Sequence, residues 1–110
     1  MNPPRVIEVR KLTHPTGLGV AKVVPPLVEL SLRDMVEFRY DGSSDFTLVC
    51  PYGRVFGGLV FRNNPIKLTV LDMPPIGEKD FPFSIFCYDI EDLAQGTSPP
   101  RMRIKRPPIY

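Results

Sequence analysis

Histidine is nearly absent from this chain: His14 is the only one in 110 residues. A nucleophilic cysteine needs an imidazole or a comparable base beside it, and His14 sits next to Pro15 in an early loop, far in sequence from Cys50 and Cys87. The residue types therefore offer no catalytic pair. No glycine-rich loop opens a helix, which excludes the phosphate-cradling and dinucleotide-binding fingerprints; Gly17, Gly19 and the pair Gly57-Gly58 read as turn or bulge glycines. No apolar run approaches the roughly 18 residues of a membrane-crossing helix. The opening residues, Met1 to Glu8, alternate and carry charge where a signal peptide requires an unbroken apolar stretch. These absences lead to the expectation of a cytoplasmic protein, neither enzyme nor membrane protein, with no cofactor. In a reducing compartment Cys50 and Cys87 are expected to be buried thiols, with a disulfide between them as the alternative.

Proline, in contrast, is abundant. There are 14, and ten of them form Pro-Pro pairs at 3-4, 25-26, 74-75, 99-100 and 107-108. Proline has no N–H for a helix or an interior ladder and pushes the preceding residue toward extended geometry, so these pairs are expected to lie between strands. Between them the sequence alternates. Ile7 and Val9 oppose Glu8 and Arg10; Val28, Leu30 and Leu32 oppose Glu29 and Ser31; Val36, Phe38 and Tyr40 oppose Glu37 and Arg39. The last two segments, joined across Arg33-Asp34, read as a hairpin. Strands are also expected over 20–24, 46–50 and 66–70, with an apolar run bent at Gly57-Gly58 over 55–61.

The segment Phe81 to Ile90 is apolar on both faces, with Phe83, Ile85 and Cys87 on one side and Phe86, Tyr88 and Ile90 on the other. It is expected to be a central strand, with Phe86 facing the packed interior. Glu91 to Gly96 suits one helical turn closed by glycine, and Arg101 to Arg106 a last strand with charged outward positions. The whole predicts a single all-β domain over 1–110, a Greek-key β-sandwich of about 7–8 strands of cupredoxin-like or immunoglobulin-like type. Proline-rich extensions at 1–4 and 107–110 favour polyproline geometry suited to docking in a neighbour's groove.

Net charge is +2, but Arg101, Arg103, Lys105 and Arg106 supply four positive charges near the end, leaving residues 1–100 at −2. This basic strand is the candidate contact for a phosphate or an acidic partner. With Tyr40, Tyr52 and Phe56 as stacking faces it would also serve single-stranded nucleic acid, against which stands the acidic body. Asp41, Asp45, Asp89, Glu91 and Asp92 are oxygen donors for a hard cation if they converge, although no glycine-pinned loop spacing accompanies them.

From Val28 onward the order of segments resembles the cupredoxin-like fold. The turn at Leu32 to Val36 looks like the one preceding that family's VxF strand, here Val36-Glu37-Phe38. Phe83 to Cys87 is similar to the aromatic strand ending in the copper cysteine, and Met102 to Ile104 to the closing strand. The resemblance implies a copper site, which takes two imidazoles and a thiolate, usually with a weak axial thioether. The family's histidines belong near Ser43 to Thr47 and just after Cys87, and both stretches lack imidazole here. The expectation is a sandwich of this architecture without its metal. By elimination it is a structural or protein-interaction module, self-assembling through an edge strand or proline-rich ends, with the first segment, beginning at Val6-Ile7, as the exposed edge. The alternatives are a nucleic-acid accessory protein and a degenerate copper carrier.

Overall fold

Short alternating segments separated by turn residues can bury one face each only by stacking in layers, and the chain does this. The computed structural model describes residues 3–13, 19–72, 80–94 and 100–105, with backbone alone at 13, 19, 20, 81, 92 and 105. It contains strands β1 (Arg5–Thr13), β2 (Gly19–Val24), β3 (Leu27–Ser31), β4 (Met35–Tyr40) and β5 (Phe46–Val49), a single helical turn α1 (Gly53–Phe56), then β6 (Val60–Asn63), β7 (Ile66–Thr69), β8 (Asp80–Pro82), β9 (Ser84–Cys87), β10 (Asp92–Leu93) and β11 (Arg101–Lys105). The fold is all-β.

One layer has the order β2-β1-β4-β7, with β1 and β4 parallel. The other consists of two sheets, β10-β9-β5-β6 and β3-β11-β8, the last pairing of β3 with β11 also parallel. These two sheets continue into each other because only Phe83 separates β8 from β9, and its N–H donates to the Pro100 carbonyl at 3.0 Å. The layers meet through alternate residues. Ile7, Val9, Val36 and Phe38 come from the first and Leu30, Phe46, Leu48, Ile85, Met102 and Ile104 from the second, all essentially inaccessible to solvent. Phe38 meets Phe83 edge-to-face at 5.6 Å and Tyr40 meets Phe46 at 6.3 Å, which ties the layers together with ring geometry as well as area. Each such side chain contributes about 1.5–3 kcal/mol by leaving water.

Several expectations are corrected here. The segments 28–32 and 36–40 form no hairpin: β3 pairs with β11 and β4 with β1 and β7, so the chain crosses between layers at Arg33, whose φ is 74°. Ser31 N–H donates to the Asp34 carboxylate at 2.9 Å and Asp34 N–H to the Ser31 carbonyl at 3.0 Å, pinning this arch. A hairpin and an arch carry the same alternation, since both present one apolar face to one core. The first segment is not an edge either, because β1 lies between β2 and β4; nor is the closing strand, since β11 lies between β3 and β8. The run 55–61 divides into α1 and β6, with Gly57 closing the helical turn at φ 79°. Glu91 to Gly96 is not helical where described: Tyr88–Glu91 is a turn and Asp92–Leu93 is β10.

The central strand is where it was expected, with Phe83, Ile85 and Cys87 buried. Phe86, however, lies on the outer face, partly exposed and edge-on to Tyr88 at 5.3 Å. Its hydrophobicity reflects a second apolar surface, not the core.

Candidate functional site

The two ends of the sandwich are chemically opposite. At one end β4 finishes at Tyr40 and β9 at Cys87, and the following turn brings Asp89 to the Tyr40 hydroxyl, which donates to its carboxylate at 2.6 Å. Lys11 Nζ donates to the other carboxylate oxygen at 3.0 Å, and Ser43 N–H and Oγ reach the same oxygen at 3.1 and 3.3 Å. Asp89 N–H in turn donates to Ser44 Oγ at 2.9 Å. Asn64 closes the ring by donating to the carbonyls of Tyr40 and Ser44 at 2.9 and 3.2 Å while accepting from Tyr40 N–H. Five separate chain segments are thereby fastened to one another.

The electrostatics follow from burial and partners. Desolvation works against the Asp89 anion, but the hydrogen bonds from Tyr40, Lys11 and Ser43 outweigh it and hold the carboxyl well below the ordinary carboxylate range. Tyr40 is displaced the other way, first by burial and then by its bond to Asp89, so the phenol stays protonated and donating. Among the described residues no buried side-chain N or O lacks a partner. These bonds fasten this end into one polar lock.

This is also where the cupredoxin-like resemblance places the copper ligands. Ser43, Ser44 and Asp89 occupy the two stretches expected to hold imidazoles, and their polar atoms are consumed by one another. The donor set of Cys87, the Tyr40 hydroxyl and a saturated carboxylate does not fit a blue-copper centre. The acidic residues do not converge either. Asp41 accepts from Lys11 N–H at 2.5 Å, and among the described residues no group of three or more His, Cys, Asp or Glu side chains is placed to hold a metal ion.

Cys50 and Cys87 are both buried, and neither is in a disulfide. They lie toward opposite ends of the second layer: Cys87 opposes Phe46, and Cys50 is four residues further along that strand. That separation is about 13 Å, too long for a bridge. Burial pushes the Cys50 thiol up to about 12, which removes its nucleophilicity at neutral pH.

The basic strand has a structural occupation. Arg103 bridges the strands on either side, bonding Asp80 at 2.5 and 3.0 Å and Glu29 at 3.3 Å, and its guanidinium holds the Asp80 carboxyl below its ordinary range. Arg101 is exposed in the same strand. The side chain of Lys105, and Arg106, His14 and the extensions 1–2 and 107–110, lie outside the described residues. The stacking faces are not assembled with this strand: Tyr40 is in the lock, Phe56 is buried, and Tyr52 packs on the core at the other end. The outer face of the β2-β1-β4-β7 sheet is laced with ions, Glu8 with Arg10 at 2.7 Å and Glu37 with Arg39 and Lys67, beside a shallow cleft of about 310 Å³.

The end opposite the lock carries exposed aliphatic side chains beside an Arg54–Asp72 ion pair at 3.2 Å. The arch at 31–35, the corner at 50–60 and residues 69–72 are joined by backbone bonds: Arg33 N–H to the Val70 carbonyl, Leu71 N–H to Val55, and Cys50 N–H to Leu59, at 2.9, 2.7 and 2.9 Å. Onto this frame project Leu59 and Leu71, each 53% exposed, Val60 at 62%, Val49 at 43%, and Leu32 and Met35 at the margin of exposure. Gly53 and Gly57 let Leu59 and Leu71 lie close against the corner, where a Cβ would come within 3.3 and 3.2 Å of them. In the sequence Leu32 reads as part of an alternating strand and Leu59 and Val60 as part of the apolar run 55–61, but nothing local to them indicates that they come to lie exposed toward one end of the fold. Neither a protein-family model nor a curated protein matches this chain.

Proposed function

We propose that this protein is a non-catalytic interaction module, a subunit of a larger protein assembly, and that its apolar end is the surface that meets a partner. The observation that carries the reading is that Leu32, Leu59 and Leu71 stand exposed on one hydrogen-bonded frame, with exposed Val49 and Val60 on the adjoining outer face of the second layer. Single exposed leucines are ordinary, whereas several exposed aliphatic side chains drawn toward one end of a small domain favour a contact site there. At the other end, the groups able to do chemistry are bonded to each other, which favours a binding role over a reactive one.

We further propose that the domain is a Greek-key sandwich of cupredoxin-like type without the metal ligands. The crossings between layers and the approach of Ser43-Ser44 to Asp89 just beyond Cys87 support this. Two reduced, buried thiols suit a reducing compartment such as the cytoplasm. The test is retention of host proteins on the immobilised full chain, compared with a Leu59→Ser/Leu71→Ser variant whose circular dichroism and unfolding midpoint match the parent. A partner held by the parent and lost by the variant supports the reading; a partner held equally by both, or none at all, overturns it.

A further inference from the structure

Strand β6 is the outer edge of its sheet, paired only with β5. Which of its backbone groups face outward follows from the ladder. Cys50 N–H donates to the Leu59 carbonyl, so Cys50 and Leu59 form a hydrogen-bonded pair, and with the register Leu48↔Phe61 and Phe46↔Asn63 those pairs are hydrogen-bonded as well. Hence Leu59, Phe61 and Asn63 direct their N–H and C=O groups into the sheet. Val60 and Arg62 direct theirs out, and among the described residues no hydrogen bond reaches those outward groups.

Two other edges, β3 and β7, are blunted. β3 is preceded by Pro25 and Pro26, and β7 follows Pro65 and bears the exposed Lys67. β6 has no proline, and its one charge, Arg62, is folded back over the Tyr88 ring at 4.2 Å. Next to it the sheet's outer face continues with exposed Val60 and Val49, a half-buried Thr47 and Phe86.

We infer that β6 is a self-pairing edge, at which a second copy of this chain joins antiparallel about a two-fold axis passing beside Phe61. The occupant is set by self-complementarity. Directly opposed residues in an antiparallel pair share a face, so only registers that place outer residues against outer residues are allowed. Two are centred within the strand. Centring on Arg62 sets arginine against arginine, which repels. Centring on Phe61 sets each Val60 opposite the other copy's Arg62, brings the two Phe61 rings together as the close, non-hydrogen-bonded pair, and lets the outward groups of Val60 and Arg62 exchange ladder bonds twice over. The β10-β9-β5-β6 sheet then runs on into its symmetry mate. This inference rests on the interaction-module reading and names a second copy as one of its partners. The strand is short, so the dimer is concentration-dependent, and of the apolar-end side chains it uses Val60 and neither Leu59 nor Leu71.

The experiment uses the full chain in sedimentation velocity over a concentration series, with Val60→Glu, Val60→Lys and Val60→Lys/Arg62→Glu variants. Val60 is exposed, so these changes leave the fold intact. Opposite the other copy's Arg62, glutamate tightens the dimer and lysine weakens it, each on the order of fivefold over two symmetric pairs, and the double variant recovers what lysine loses. Position 61 supplies a second readout. Phe61→Cys faces itself across the axis at about 4.5 Å between Cα atoms and cross-links under mild oxidation, whereas Val60→Cys stands about 8 Å from its mate, beyond disulfide reach. A chain that stays monomeric to millimolar concentration, glutamate and lysine acting alike, or equal cross-linking at 60 and 61 would each overturn the inference. Monomeric behaviour leaves the apolar-end reading standing, because that reading is decided by Leu59 and Leu71.

Discussion

At the Asp89 end of the sandwich, residues from β1, β4, the 43–44 loop, Asn64 and the turn after β9 are bound into one polar network, and hardly any of its atoms remain free. At the other end the same strands terminate in an arch and a corner whose backbone is equally well bonded, but whose side chains face solvent as Leu32, Leu59, Val60 and Leu71. Both ends close the same core. They differ in what side-chain hydrogen bonding does: at the lock it ties several segments into one network, whereas at the corner it forms separate pairs, such as Asp34 with Ser31 N–H and Arg54 with Asp72, and leaves aliphatic area uncovered. The first arrangement fixes the fold, and the second leaves apolar side chains in solvent, which is the contrast on which the proposed interaction surface rests.

The largest expected effect in that contrast belongs to Asp89→Ala. It strips the Tyr40 hydroxyl, the Lys11 ammonium and the Ser43 N–H of their shared acceptor, and the loss is expected at about 2–4 kcal/mol by urea unfolding; a loss under about 1 kcal/mol would mean that the network only decorates the end. Gly42→Ala comes next. A Cβ there would sit 2.2 Å from the Tyr40 ring, which is buried and anchored by Asp89, so about 1–3 kcal/mol is expected, with Phe46 contacts disturbed as well.

Of the two ends, acid should act on the lock. The Asp89 carboxyl titrates lower in the folded chain than in the unfolded one, where it lies near 3.9. Its contribution is therefore fully present above that value and lost as pH falls below about 4 toward the folded-state value. Unfolding midpoints measured from pH 6 to pH 2 should fall less steeply in Asp89→Asn than in the parent; parallel curves would remove Asp89 from the account. The smallest effect is expected at the corner, where Leu59→Ser or Leu71→Ser should alter stability by within about 0.5 kcal/mol. A loss above about 2 kcal/mol would show that these side chains support the core, and the contrast between the ends would collapse.

The alternation of small apolar and charged residues sufficed to predict an all-β domain, the strands at 28–32, 36–40 and 66–70, and a central strand through Ile85, because period-two burial is a local property of the chain. It could not distinguish Phe86 from Phe83. A strand with two apolar faces does not disclose which face meets the second layer and which meets solvent or a partner, and the structure puts Phe83 in the core and Phe86 outside. Likewise the acidic stretch after Cys87 read as a candidate cation loop, since nothing local indicates that Tyr40, 49 residues away, will take the Asp89 carboxylate.

What the sequence determined by itself was the class of object: its strands, and the proline pair at 25-26 that separates β2 from β3. Tertiary structure alone decided that 28–32 and 36–40 lie in different sheets, that β11 is interior with Arg103 tied to Asp80 and Glu29, that Asp89 locks one end, and that scattered turn leucines collect at the other. The reason is range. Alternation, turn chemistry and composition act over a few residues, whereas pairing partners, end-to-end polarity and the company a side chain keeps are fixed by contacts between segments tens of residues apart.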